Sequence, residues 1–103
     1  MTPLYILSSR VIQETHHFDG TGNIESLMGD LQVAPIGEPY EEREEDSSGN
    51  MRLTQVDGTY HTQDVTTRIT YSEANGLQME LTGREGAVRK VLKTVENAFP
   101  KTQ

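Results

Sequence analysis

Residues 65–81 read VTTRITYSEANGLQMEL. Val65, Thr67, Ile69 and Tyr71 recur every second position, as do Leu77, Met79 and Leu81 after them. A period of two puts each set on one face of a strand, and the β-branched and aromatic content suits a pleated surface. Asn75-Gly76 between the two runs is a hairpin signal, because both residues tolerate the positive φ that a tight turn demands. This stretch therefore predicts two antiparallel neighbours with one apolar face, which must be covered by other elements.

Working outward, Met51, Leu53 and Gln55 alternate with Arg52, Thr54 and Val56, and Asp57-Gly58 carries a second hairpin signal. Tyr40–Asp46 is extended and leads into a turn-sized cluster, Ser47-Ser48-Gly49-Asn50. Before it, residues 33–39 hold Pro35 and Pro39, which cannot donate to a ladder, so an edge strand or connector is expected. Leu4–Gln13 reads as a further strand whose alternation slips at Ser8-Ser9, and residues 16–23 read as a loop.

Two helices complete the pattern. Ile24, Leu27, Met28 and Leu31 fall at i, i+3, i+4 and i+7, with Glu25 in the first turn. Ala87, Val88, Val91, Leu92, Val95 and Ala98 form a longer stripe. Thr82-Gly83-Arg84-Glu85 has the spacing of a capping box, and Pro100 is a stop. The expected fold is one α+β domain over residues 1–103. An antiparallel meander of five to six strands packs on two helices, in the order β-α-β-β-β-β-β-α.

Charge is distributed unevenly over this frame. Residues 1–50 carry ten acids against two bases, and residues 51–103 carry six against seven, for a net charge of −7. Six of the nine residues from Glu38 to Asp46 are carboxylates. Read as a strand, the run places Tyr40, Glu42, Glu44 and Asp46 on one face and Glu41, Arg43 and Glu45 on the other. Both faces are charged, so neither builds core. Charges on an edge strand guard against sheet-to-sheet aggregation. Charge this dense also repels nucleic acid and anionic lipid and attracts basic surfaces.

Other chemistry is thinly represented. There is no cysteine, which removes disulfides and thiolate metal sites and fits a reducing compartment. No run approaches the roughly 20 apolar residues of a membrane span, and the first residues lack the basic start of a signal peptide. A cytoplasmic protein with no membrane association is the resulting expectation. His16, His17 and His61 are the histidines; neighbours on a strand point to opposite sides, so His16 and His17 do not share an ion. A metal would need His61 with Asp64 or Glu14. No H-E-x-x-H or calcium-loop spacing is present, and no metal or cofactor is expected. Ser72, His61 and Asp64 are an arbitrary trio, so no catalytic residue is named. Gly20-Thr21-Gly22 lacks the lysine and spacing of a phosphate loop.

The leading functional expectation is a small acidic, non-enzymatic protein-binding module: an inhibitor, an immunity- or anti-defence-type factor, or an adaptor. It would dock a basic protein through Glu38, Tyr40, Glu41, Glu42, Glu44, Glu45 and Asp46. A second candidate face is Arg84, Arg89, Lys90 and Lys93, opposite the stripe of the last helix, which could meet the acidic segment of another copy in a homodimer. An alternative is a small-molecule-binding domain or small enzyme with a pocket between sheet and last helix, lined by Tyr60, His61, Tyr71 and Met79. A homo-oligomeric structural module is the third reading.

Overall fold

A computed structural model describes residues 10–20 and 22–99. Its elements are β1 (Val11–Phe18), α1 (Ile24–Leu31), β2 (Ala34–Glu45), β3 (Met51–Thr62), β4 (Val65–Ser72), β5 (Gly76–Arg84) and α2 (Glu85–Ala98). The strands form one antiparallel sheet in the order β1-β5-β4-β3-β2. The α+β class and the sheet-on-two-helices arrangement are as expected. β2 to β5 form a meander, and β1 joins its far side by pairing with β5 from Val11↔Arg84 to Phe18↔Leu77.

The period-two pattern determines which face is covered. Val65, Thr67, Ile69 and Tyr71 of β4 and Leu77, Met79 and Leu81 of β5 are all buried. They pack with Val56 and Tyr60 of β3, Phe18 of β1, and the apolar stripes of both helices. Ile24, Leu27 and Leu31 of α1 and Val88, Val91, Leu92 and Val95 of α2 supply those stripes. The opposite sheet face carries no helix among the described residues and is polar, with Gln13, Thr15, His17, Thr66, Arg68, Thr70 and Gln78 on it.

Three local signals lose to tertiary pairing. Asp57-Gly58 is not a turn: β3 runs straight through it, which is why the described residues form five strands. The turn comes instead at Gln63-Asp64, both in left-handed backbone (φ 47° and 65°), between the paired residues Thr62 and Val65. Gly58 serves a close approach, since a Cβ there would lie 2.5 Å from the Cβ of Pro39, where the β2 register shifts. The expected capping box is also absent. Thr82 and Gly83 are held in the ladder opposite Gln13 and Ile12, Arg84 is the N-cap, and the Glu85 N–H donates to the Arg10 carbonyl at 2.7 Å. Finally, His16, His17 and Phe18, expected in a loop, belong to β1. Of the strand expected over Leu4–Gln13, residues 4–9 lie outside the described residues, as does Pro100.

α1 is short and is tied down at both ends. The Asn23 side chain accepts the Ser26 N–H at 2.9 Å, which satisfies one of the free donors of the first turn. At the other end Gln32 is left-handed (φ 54°), and the buried Thr62 hydroxyl donates to the Leu31 carbonyl. One buried group in the sheet lacks such a partner. The Thr67 hydroxyl is buried and, among the described residues, makes no hydrogen bond. A lone buried hydroxyl costs desolvation with no return. Thr67→Val, which keeps the shape and removes the oxygen, should stabilise the fold by about 1 kcal/mol. Thermal denaturation should then show a melting temperature several degrees higher; an unchanged or lower one would count against the placement of Thr67.

Candidate functional site

β2 is the sheet edge opposite β1, and its residues are exposed along nearly the whole strand. β4 backs β3 only from Gln55 to Thr62, so the part of β2 beyond Glu42 and the start of β3 form a two-stranded arm. The carboxylate run lies on this arm. Pairing of Arg43 with Leu53 and of Glu41 with Val56 puts Glu41, Arg43 and Glu45 on the helix side. Tyr40, Glu42 and Glu44 face the open side, as the alternation requires.

Each acidic side chain can now be assigned. Asp46 builds the turn: its Oδ1 accepts the N–H groups of Ser48 and Asn50, each at 2.9 Å. Arg43, the one base in the run, donates to Glu25 of α1 at 3.0 Å and to Glu41 at 3.3 Å. Glu41 also accepts the Tyr60 hydroxyl at 3.3 Å. Burial, followed by the nearby Glu41 charge, pushes the Tyr60 phenol up to about 12, so it stays a donor. The Tyr40 hydroxyl donates to Glu42, and that bond raises the Tyr40 pKa. Arg52 lies opposite Glu44 and reaches Glu73 in the β4–β5 turn at 2.5 Å. The arm is thus tethered to α1 through Arg43–Glu25 and to the β4–β5 turn through Arg52–Glu73. Glu38, Glu44 and Glu45 project into solvent between these tethers.

The basic set does not form one face. Arg84 is the last residue of β5, not a helix residue. Arg89 is committed to Glu14 of β1, with two N–H donors at 2.8 and 2.7 Å from the two carboxylate oxygens, and lies 3.7 Å from Glu85. Lys90 and Lys93 are exposed on α2. The Arg89 hydrogen bonds, with His16 second (its Nε2 is 2.8 Å from Glu14 Oε1), bring the Glu14 pKa down from 4.5 to about 2. A depressed carboxylate contributes stability that is present above its unfolded value and is lost as pH falls through the folded one. The Glu14–Arg89 contribution should therefore be intact above about pH 4.5 and vanish toward pH 2. Arg89 is half exposed, so solvent screening keeps the contribution of the pair small. Urea unfolding of Glu14→Gln against the parent at pH 7 and pH 2.5 checks this; a stability gap undiminished at the lower pH would refute it.

The expected pocket does not assemble. Tyr60, Tyr71 and Met79 are core residues, and the Tyr71 ring is closed by an edge-on contact with Phe99 at 6.0 Å. His61 is exposed on the other face of the sheet, because it neighbours Tyr60 in the same strand. Ser72 and His61 sit at opposite ends of the β3–β4 pairing, opposite Gln55 and Thr66. His16 faces the helix side against Phe18, while His17 faces the open side with its Nε2 2.8 Å from the Gln78 amide oxygen. Among the described residues no group of three or more histidines and carboxylates could hold a metal ion. Gly22 abuts the Ala98 carbonyl and the Phe99 ring, a packing role.

Sequence reading missed the two arginine tethers and the place of β1 as the second edge of the sheet among the described residues. Arg43 and Glu25 are 18 positions apart, and the β1·β5 pairing spans most of the chain. The lone base within an acidic run was the one available hint of a tether. Compared with known proteins, the chain matches no family model, no curated protein and no solved structure. No described helix is long and apolar enough to cross a membrane.

Proposed function

We propose that the protein is a small non-enzymatic binding module that docks a basic protein surface through the β2–β3 arm. The observation that carries this reading is the arm itself: an exposed edge, acidic on both faces and braced by Arg43–Glu25 and Arg52–Glu73. A braced arm loses little freedom when a partner binds, so less of the attraction is spent on ordering it. Exposed charge of this kind acts mainly by steering encounter and selecting partners of opposite sign.

The braces indicate which residues to change. Reversing Glu38, Glu42, Glu44 and Glu45 to lysine leaves Glu25, Glu41 and the Asp46 turn in place. The parent protein, immobilised and exposed to extract from its own cell at low salt, should retain a basic protein that about 0.3 M salt releases, because that salt shortens the screening length to about 6 Å. The four-lysine variant should fail to retain it, and with the purified partner its association rate should fall at least tenfold with a reversed salt dependence. Equal retention by parent and variant would overturn the reading.

A further inference from the structure

The two sheet edges are built in opposite ways. β2 carries two prolines, a register shift and a run of charges, each of which discourages another strand from pairing with it. β1 has none of these. It pairs with β5 over eight residues with no shift, contains no proline, glycine or lysine, and has one carboxylate, Glu14, already held by Arg89. The bond from the Glu85 N–H to the Arg10 carbonyl makes that facing pair a hydrogen-bonded one. Bonded and non-bonded pairs alternate along an antiparallel ladder, so the main-chain groups of Val11, Gln13, Thr15 and His17 point away from β5, along an edge that no other strand of the described residues pairs with.

The residues of β1 are also self-complementary about Thr15. Laid antiparallel on a second β1 with Thr15 opposite Thr15, the strand sets Glu14 opposite His16, Gln13 opposite His17, and Ile12 opposite Phe18, twice each. Every facing pair falls on one side of the sheet, as direct cross-strand partners must. Glu14, His16, Ile12 and Phe18 are the helix-side, partly or fully buried residues, while Gln13, Thr15 and His17 are exposed on the open side. Moving the axis one residue to Glu14 opposes two like charges, and moving it to His16 opposes Glu14 to Phe18.

We infer that the protein forms a two-fold dimer through β1, with Thr15 on the axis, joining two five-stranded sheets into one of ten strands. The axis stands perpendicular to the sheet, so both helix layers lie on the same side. This places the two β2 edges at opposite ends of the joined sheet, about 43 Å apart across the strands for nine inter-strand spacings of about 4.8 Å, and the two acidic arms, which run on past β4 in opposite directions, lie farther apart than that. The dimer is bivalent toward any partner that repeats a basic surface at the spacing of its two arms.

The absence of cysteine makes the register testable. Sedimentation equilibrium of the full chain should give about twice the 11.5 kDa monomer mass. Thr15→Lys sets like charges face to face on the axis and should raise the dissociation constant at least tenfold, with the circular dichroism spectrum unchanged. Thr15→Cys should oxidise readily to a linked dimer, since facing residues in a bonded pair have Cα atoms about 5.5 Å apart. Gln13→Cys and His17→Cys should not, because each then lies four residues from its own copy, about 13 Å away. A monomeric parent chain, a dimer untouched by Thr15→Lys, or linkage at residue 13 or 17 as fast as at 15 would each overturn the inference. The four-lysine arm variant should keep the dimer mass, so this test and that of the arm fail independently.

Discussion

Replacing Phe99 by alanine should cost about 3–5 kcal/mol, the usual range for deleting a fully buried aromatic side chain. Phe99 is buried at the C-cap of α2, where its N–H donates to the Val95 carbonyl at 2.7 Å. Its ring meets Tyr71 edge-on at 6.0 Å and an interplanar angle of 75°. Gly22 closes the other side, where a Cβ would lie 2.7 Å from the ring. The ring thus joins the loop before α1, strand β4 and the end of α2, so its loss opens a cavity that three elements would have to move to fill. A domain of this size has roughly 5–15 kcal/mol in total, so the variant should unfold at a much lower urea concentration. Phe99→Leu, which keeps most of the volume, should lose much less. A cost below about 1 kcal/mol for the alanine variant would show that the ring does not hold these elements together.

Gly76→Ala should cost about 2–4 kcal/mol, for two separable reasons. Gly76 has φ +81°, a conformation that a side chain disfavours by about 1–2 kcal/mol. In addition, a Cβ there would run into the Phe18 carbonyl oxygen and approach Asp19 at 3.3 Å. That second clash is with backbone at the end of β1, so the hairpin turn and the β1·β5 ladder cannot both stay in place. Gly76→Asn separates the contributions. Asparagine tolerates positive φ but carries the same Cβ, so it should remain nearly as destabilised as alanine. If asparagine restores most of the stability measured by urea unfolding, the turn conformation alone sets the requirement and the contact with β1 does not.

These variants probe contacts between parts of the chain that sequence patterns treat separately. Where a pattern repeats along a strand or helix, it was legible: Val65 to Tyr71 and Leu77 to Leu81 bury as the period says, as do Val88, Val91, Leu92 and Val95 of the α2 stripe, with Ala87 and Ala98 partly buried at its ends. Isolated signals fared worse. Asp57-Gly58 has good turn chemistry, but it lies in a strand paired on both sides, and many ladder bonds outweigh one favoured turn. The capping spacing at Thr82 failed because β1 holds Thr82 to Arg84 in the sheet, with the Arg10 carbonyl supplying what the threonine hydroxyl would have given. His16 and His17 carry little strand preference, and they extend because Met79 and Gln78 lie across from them.

For the site, the acidic run was visible as composition and its edge position as a consequence of Pro35, Pro39 and charge on both faces. What each carboxylate does was not visible. Asp46 became a turn residue, Glu41 a partner of Arg43 and Tyr60, and Arg89 left the basic face for Glu14. The sequence by itself determined the class of fold and the accumulation of negative charge on one strand, because periodicity and charge are properties of neighbours along the chain. Only the tertiary structure decided which described strand became the second edge of the sheet and which charges were neutralised. Both depend on pairings such as β1 with β5 and Glu14 with Arg89, 75 positions apart, which exist only once the sheet has brought the ends of the chain together.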